Sequence, residues 1–573
     1  MALKNRTQTY YKNWAVQVKK DLQVEKGRGD GEDIRIWSNQ DLDPTPPHKR
    51  TWHWWNYLLY FVGTGFNNWQ GGSAVIGVGL GWQAAIAIAY ITQSISGVVQ
   101  ALNSKAAARY HLGFPAIARS VYGMWGSTYQ VAVRSILAAV WYATKTYEGA
   151  SYLNIMMRCV FGHAYTDIPN HVPESIGYTT KDFLCYFLVW MLYTPFLFRR
   201  PYQLRNFFTG ACFASFPAVF GLFIYCIAKS GGKLGLAENA GSVKMDTSTT
   251  AWLVVYAMAS SISNGAAYIE SVPDVARWAA KPNSVIPATL FCNFIYNPLA
   301  AVLGILGTSA LQSATGETIW KPWDVMTLIL EENWTSGVRF GVFLLACCWF
   351  YLVFAQNISS NMIPFGADIS MLWPKHLTMT RGYIIVHLLA WCICPWKIYV
   401  SAETFFNFMG AYGIFMGPAV SIMLVEYYLI SRGNIFVSSI YIGNSKNPNY
   451  WYTGGWNVQA YIAYIFSVGL CFVGFVNKVG ATVPAAGEKI GYLAWFLSFT
   501  SGGVVYYLVN LVYPHQNVKN VKELKWEENA DTNDVEIAGI EVVRSQSETA
   551  DVEREAYAKA SDNKYVVASS TTD

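Results

Sequence analysis

Trp141, Lys145 and Glu148 lie within Trp141-Tyr142-Ala143-Thr144-Lys145-Thr146-Tyr147-Glu148, inside an apolar run from about Tyr129 to Phe161. In a helix, spacings of four and seven residues put an aromatic plate and two charges on one face. Ionisable groups in such a run must face a bundle interior, a partner or water rather than lipid, which marks them as candidates for function. The structural alternative is a Lys145–Glu148 pair one turn apart that braces the helix.

The elements that position these residues are those of a membrane bundle. Of 573 residues 53% are hydrophobic and only 13% charged, against roughly 25% charged in soluble domains. Twelve apolar stretches near spanning length are predicted, at about 57–80, 82–102, 129–161, 183–198, 207–228, 251–271, 285–311, 339–365, 382–400, 403–430, 457–477 and 490–513. The ten cysteines all fall inside them and read as small buried apolar residues, not as a disulfide or zinc framework. No Ser/His/Asp set, metal-ligand cluster or phosphate loop stands out, so an enzyme is not expected. No basic stripe with interleaved aromatics suggests nucleic-acid binding. His387, alone in its span, reads as a packed histidine.

Residues 1–54 form a polar N-terminal segment, and ten of the 41 Lys and Arg lie in the first fifty residues, which argues for a cytoplasmic N-terminus. An even number of spans returns the C-terminus to the same side. After Pro514 the chain turns polar, and 514–573 is expected to be a disordered cytoplasmic tail whose Lys519, Lys522, Lys525 and Lys564 are open to the ubiquitination machinery. The other expected partners are membrane lipid and a small molecule.

Two spans carry polar, glycine-containing patches: Gly63-Thr64-Gly65-Phe66-Asn67-Asn68-Trp69-Gln70-Gly71-Gly72 and Ser260-Ser261-Ile262-Ser263-Asn264-Gly265. Helices interrupted at matching places in two halves point to a midplane binding site. Broken backbone is tolerated in a membrane only where protein or a cavity surrounds it. A third polar element contains Asn357 and Asn361, four apart on one face. Their carboxamides both donate and accept, which suits a planar ligand with alternating N–H and C=O edges.

The segment Asn39-x-Asp41-Leu42-Asp43-Pro44-Thr45-Pro46-Pro47-x-Lys49-Arg50-Thr51-Trp52 resembles a signature of the fungal uracil and allantoin permease branch of the nucleobase-cation symporter-1 family. Further matches are Arg109-x-His111-x-Gly113-Phe114-Pro115-x-x-x-Arg119, Pro273-Asp274-x-x-Arg277, and Pro374-Lys375 with Arg381-Gly382. The resemblance spans roughly 35–515. It implies an all-α membrane protein of twelve helices, with a five-plus-five inverted repeat like that of the bacterial leucine transporter (about 55–228 and 251–430). Two additional helices would follow at about 457–513, and the chain would work by alternating access.

By the same resemblance Trp141 stacks on a planar substrate, Lys145 stands where relatives commonly keep a ligand-pairing Gln, and Asn264, Gly265 and Asn361 contact the ligand. Phe66 and Asn67 contribute more loosely. Phe405 and Phe406 are candidates for an outer gate. Sodium-coupled relatives place hydroxyls where this chain has Ala355 and Gln356; alanine offers no oxygen to a hard cation, so a sodium site looks lost and a proton is the expected coupling ion. No cofactor is expected. Glu148, Glu270 and Asp274 are candidate coupling groups or charge partners.

Lys145 only donates, which favours acceptor-rich or anionic ligands unless Glu148 or Glu270 neutralises it. The expected function is proton-coupled import of a uracil-, allantoin-, urate- or uridine-like heterocycle at the plasma membrane. The alternatives are a thiamine or nicotinamide-nucleoside carrier and a nutrient sensor that does not transport.

Overall fold

The computed structural model describes residues 37–65, 68–234 and 246–530, and among them it is all-helical, without a strand. The first helix is broken where the glycine-rich patch predicts. Helix α1 (Trp54–Thr64) ends at Gly65 and α2 (Asn68–Gly77) resumes beyond it, with Phe66 and Asn67 outside the described residues. Then come α3 (Trp82–Tyr110), a short buried α4 (Phe114–Tyr122), α5 (Gly126–Phe161), α6 (Thr180–Tyr193) and α7 (Arg205–Ser230).

The second half holds α8 (Thr247–Ala276), α9 (Val285–Thr315), α10 (Pro322–Glu332), α11 (Ser336–Leu372), α12 (Met379–Leu389) and α13 (Ala402–Ile430). It is followed by α14 (Val458–Lys478), α15 (Ala485–Val512) and α16 (Gln516–Val521). Eight helices among the described residues are long and apolar enough to cross a membrane by length and composition. Helices α5 and α8 are not among the eight, and both carry buried charges; α12 stops at Leu389, before the turn at Pro395.

Three expectations need correction. The Ser260–Gly265 patch does not break its helix, because α8 runs through it without interruption. Ser263 donates to the Ala259 carbonyl of its own helix at 2.8 Å, so the hydroxyl is satisfied while the backbone ladder stays intact. The chain after Pro514 is ordered as far as Ala530: Asn517, Val521 and Ala530 are buried, and Glu527 lies 3.6 Å from Lys105 and 3.5 Å from Arg109. Lys519, Lys522 and Lys525 are exposed on this segment, and Lys564 lies outside the described residues. The cysteines are free, but Cys392 and Cys394 are exposed in the turns after α12 and not buried as expected.

The helices pack in two groups. On one side α2 lies against α9 and α3 against α8, while on the other α5 packs on α6 and α11 and the end of α11 meets α12. Early helices of each half thus pair with each other, and later ones do likewise.

The N-terminal motif forms a clasp at one end. Arg277 donates to Thr45 Oγ1 at 2.8 Å and to the Asp41 and Asp43 carbonyls, while Asn39 Nδ2 reaches the Ser370 carbonyl at 3.0 Å. Asp41 pairs with Arg200 at 2.6 Å. Segments remote in sequence are therefore held together by charge-assisted bonds.

Candidate functional site

Between the two groups lies a cavity of about 110 Å³, reached by α1, α2, α3, α8 and α9 on one side and by α5 and α11 on the other. Trp141, Lys145, Asn264, Gly265 and Asn361, singled out in the sequence, all line it. Gly65 and Asn68, which flank the undescribed Phe66 and Asn67, line it too. Glu148, Glu270, Asp274, Phe405 and Phe406 do not.

Two chains of carboxamides shape the polar surface. Gln100 Oε1 accepts from Asn293 Nδ2 at 2.9 Å, and Asn293 Oδ1 accepts from Asn297 Nδ2 at 3.1 Å. The ends of this relay, Gln100 Nε2 and Asn297 Oδ1, have no hydrogen-bond partner. One end is a donor and the other an acceptor. Across the cavity Asn357 donates to the Tyr142 carbonyl at 3.1 Å and to Thr146 Oγ1 at 3.2 Å, and its Oδ1 accepts from Asn361 Nδ2 at 2.9 Å. That leaves the Asn361 oxygen as the end available to a ligand N–H, and Gln356 Oε1 adds a second unpartnered acceptor.

The backbone explains how these amides reach inward. Cys292–Tyr296 of α9 and Ile358–Met362 of α11 are single π-helical turns, which carry Asn293 and Asn361. A π-turn widens the helix locally and is common where a side chain must be re-aimed. Neither bulge has a sequence signal. Asn293 and Asn297, four apart, and Gln93 and Gln100, seven apart, were not singled out, although each pair shares a helix face in the way that Asn357 and Asn361 do.

Trp141 is buried, with Phe408 at 5.6 Å and Tyr412 at 6.4 Å between ring centroids. Phe405 and Phe406 lie away from it: Phe405 stacks on Tyr399 at 5.1 Å, and Phe406 approaches Tyr256 at 6.1 Å. The α13 aromatics that touch the cavity's tryptophan are therefore one and two turns further along the helix. Lys145 Nζ lies 2.6 Å from Glu148 Oε1, both residues being almost fully buried, and the Tyr399 hydroxyl donates to the same carboxylate. The structural pair is present, and Lys145 faces the cavity as well.

A second charge cluster lies about two turns before Trp141 on α5. Arg134 forms a bidentate pair with Asp368 of α11 and stands 2.8 Å from Asp274 Oδ2 of α8. Glu270, 1% exposed, has neither carboxylate oxygen hydrogen-bonded. Arg134 Nη1 reaches only its backbone carbonyl, at 3.4 Å. Arg134 and Asp368 escaped the sequence reading because they meet across 234 residues. His387 is packed as expected, stacked on Trp190 at 4.2 Å with Nδ1 3.0 Å from the Tyr142 hydroxyl. In the loop before α4, burial pushes His111 down to about 3, so it stays neutral near neutral pH.

Comparison with known proteins agrees with this architecture. The sequence profile of permeases for cytosine/purines, uracil, thiamine and allantoin matches residues 44–498. The allantoin permease of Saccharomyces cerevisiae is 30% identical over 484 residues, covering 83% of this chain and 76% of that one. The uracil permease of the same yeast is 30% identical over 471 residues, covering 80% and 74%. Among solved structures, the nucleobase-cation-symport-1 family transporter Mhp1, closed with bromovinylhydantoin bound, has a TM-score of 0.67 at 16% identity, covering 87% of this chain and 99% of that one. With the profile spanning most of its length and the fold matching, this chain belongs to the family of membrane permeases for cytosine/purines, uracil, thiamine and allantoin.

Proposed function

We propose that the protein is a proton-coupled symporter that imports a neutral, planar, nucleobase-like heterocycle by alternating access. It would do so at the plasma membrane, with both termini cytoplasmic. The observation that carries this is the pair of carboxamide relays, which present an unpartnered donor and unpartnered acceptors to one cavity beside Trp141. A ligand edge of alternating N–H and C=O satisfies those ends, and its ring offers a face to the indole.

Lys145 meets the ligand as half of a pair with Glu148. That supports a neutral cargo over the anionic one that an uncompensated lysine would favour. Proton rather than sodium coupling is supported by Ala355, which has no side-chain oxygen, and by Gln356, whose Nε2 donates to the Thr64 carbonyl at 3.1 Å. Glu270 is the group best suited to carry the proton. Arg134 already serves Asp274 and Asp368 and meets Glu270 only at its backbone carbonyl, and a buried, unpartnered carboxylate is tolerated most easily when neutral.

Uptake in a transporter-null yeast, with uracil, allantoin, urate, uridine and thiamine as the panel, tests this. Accumulation of one of them, abolished by a protonophore and by either Trp141→Ala or Asn361→Ala in protein that still reaches the membrane, is the expected result. Unchanged uptake in both variants refutes the site. Saturable binding without accumulation would make the protein a sensor.

A further inference from the structure

A second cavity, of about 770 Å³, lies between α8, α13, α14 and α15, near the end of α2. Lys478, the last residue of α14, lines it. Its ammonium is buried with no hydrogen-bond partner and lies 5.3 Å from the centroid of the Tyr256 ring. Ser260 Oγ, also buried, likewise lacks a hydrogen-bond partner. Both groups converge on Gly410 of α13, where a Cβ would run into Lys478 Nζ and stand 3.0 Å from Ser260 Oγ. The bare backbone at Gly410 thus makes room for the Lys478 ammonium, which a side chain there would displace.

The rest of the wall is aromatic and amide. Tyr256 and Tyr492 pack at 5.2 Å between centroids, Trp252 stands beside them, and Asn407 Oδ1 accepts from the Tyr256 hydroxyl at 2.8 Å. Of the two carboxylates that line the cavity, Glu403 is exposed and Glu488 accepts from the Tyr492 hydroxyl at 2.6 Å. Lys489 is exposed and lies over Trp252 at 5.3 Å. The deep, unsatisfied charge is therefore positive, and it stands beside a ring.

A buried ammonium without an acceptor is costly, and an anion or a strongly accepting group removes that cost. We propose that this cavity is a second binding site, for a small planar organic anion whose charged group meets Lys478 and whose ring packs on Tyr256. It differs from the central cavity in chemistry. There the lysine is compensated by a glutamate, and the free polar ends are neutral amides.

Equilibrium binding of radiolabelled uracil-6-carboxylate to the full-length protein in neutral detergent tests the proposal. Uracil serves as the neutral competitor, and anionic phosphatidylglycerol vesicles as the lipid competitor. Binding is expected to persist in Trp141→Ala, to resist uracil, and to weaken about tenfold or more in Lys478→Met, the loss of one charge-assisted contact. Lys478→Met removes an unpartnered buried charge, so it should fold at least as well as the parent, and its thermal unfolding checks this. Gly410→Ala, whose Cβ would displace the Lys478 ammonium, should weaken binding similarly. Unchanged affinity in Lys478→Met, or complete loss in Trp141→Ala, overturns the site. Binding of phosphatidylglycerol in place of uracil-6-carboxylate overturns the small-anion assignment in favour of a lipid headgroup.

Discussion

Along α5, buried charge lies on both sides of Trp141, and the two groups differ in their arithmetic. On the Glu148 side one lysine meets one glutamate, with the Tyr399 hydroxyl completing the carboxylate's shell. On the Arg134 side one guanidinium serves Asp274 and Asp368, while Glu270 stands close by with neither oxygen bonded. A closed pair holds the same charge in every step of a cycle. On the proposed proton-coupled mechanism, an over-subscribed cation leaves a carboxyl free to take up or release a proton. The Arg134 group also joins α5 and α11 to α8, on opposite sides of the central cavity, so in that mechanism a change of charge there acts on a contact between the two groups of helices.

Arg134→Met should have the largest effect. Removing the cation leaves Asp274 and Asp368 buried without it, a loss of about 3–5 kcal/mol, and the variant should unfold at markedly lower temperature in detergent. Adding Asp368→Asn should recover part of the loss. The other group should behave differently. Lys145→Met alone leaves Glu148 uncompensated and should cost about 3 kcal/mol, whereas Lys145→Gln with Glu148→Gln should stay within about 1 kcal/mol of the parent. Equal instability of the single and double variants would show that Lys145 does not act as half of a closed pair.

At neutral pH the smallest effect concerns His111, which belongs to neither group and whose contribution shows only on acidification. Its folded-state value is about 3 against an ordinary 6.5, so below 6.5 the unfolded chain binds a proton that the folded chain does not. Stability should therefore fall as pH drops from about 6.5 towards about 3, and His111→Asn should flatten that slope without changing the pH dependence of uptake near neutrality. A shifted uptake profile in His111→Asn would bring this histidine into coupling.

How far the sequence spoke depended on whether a residue's signal was local. Trp141, Lys145 and Glu148 could be placed because helical spacing puts them on one face, and Asn361 because it repeats Asn357 four residues on. The break after Gly65 was legible in a run of glycines and amides. The same logic failed at Ser260–Gly265, where serine hydroxyls and a single glycine fit inside a continuous helix. Asn293 and Asn297 carry the same four-residue spacing and were missed, while the π-turn in α9 and the relay from Gln100 that give them their place have no local signal. Arg134 and Asp368 could not be paired from sequence, because nothing local marks a contact across so many residues. The N-terminal motif was recognised by resemblance, while its physical role as a clasp around Arg277 emerged only from its hydrogen bonds.

The most direct test of the difference between the two charged groups is Glu270→Gln in proteoliposomes, with whichever heterocycle the uptake panel identifies. Substrate counterflow without a gradient should persist at close to the parental rate, while accumulation driven by an imposed proton gradient should be abolished. Proton-driven accumulation by Glu270→Gln at the parental level would contradict the assignment of coupling to the Arg134 group.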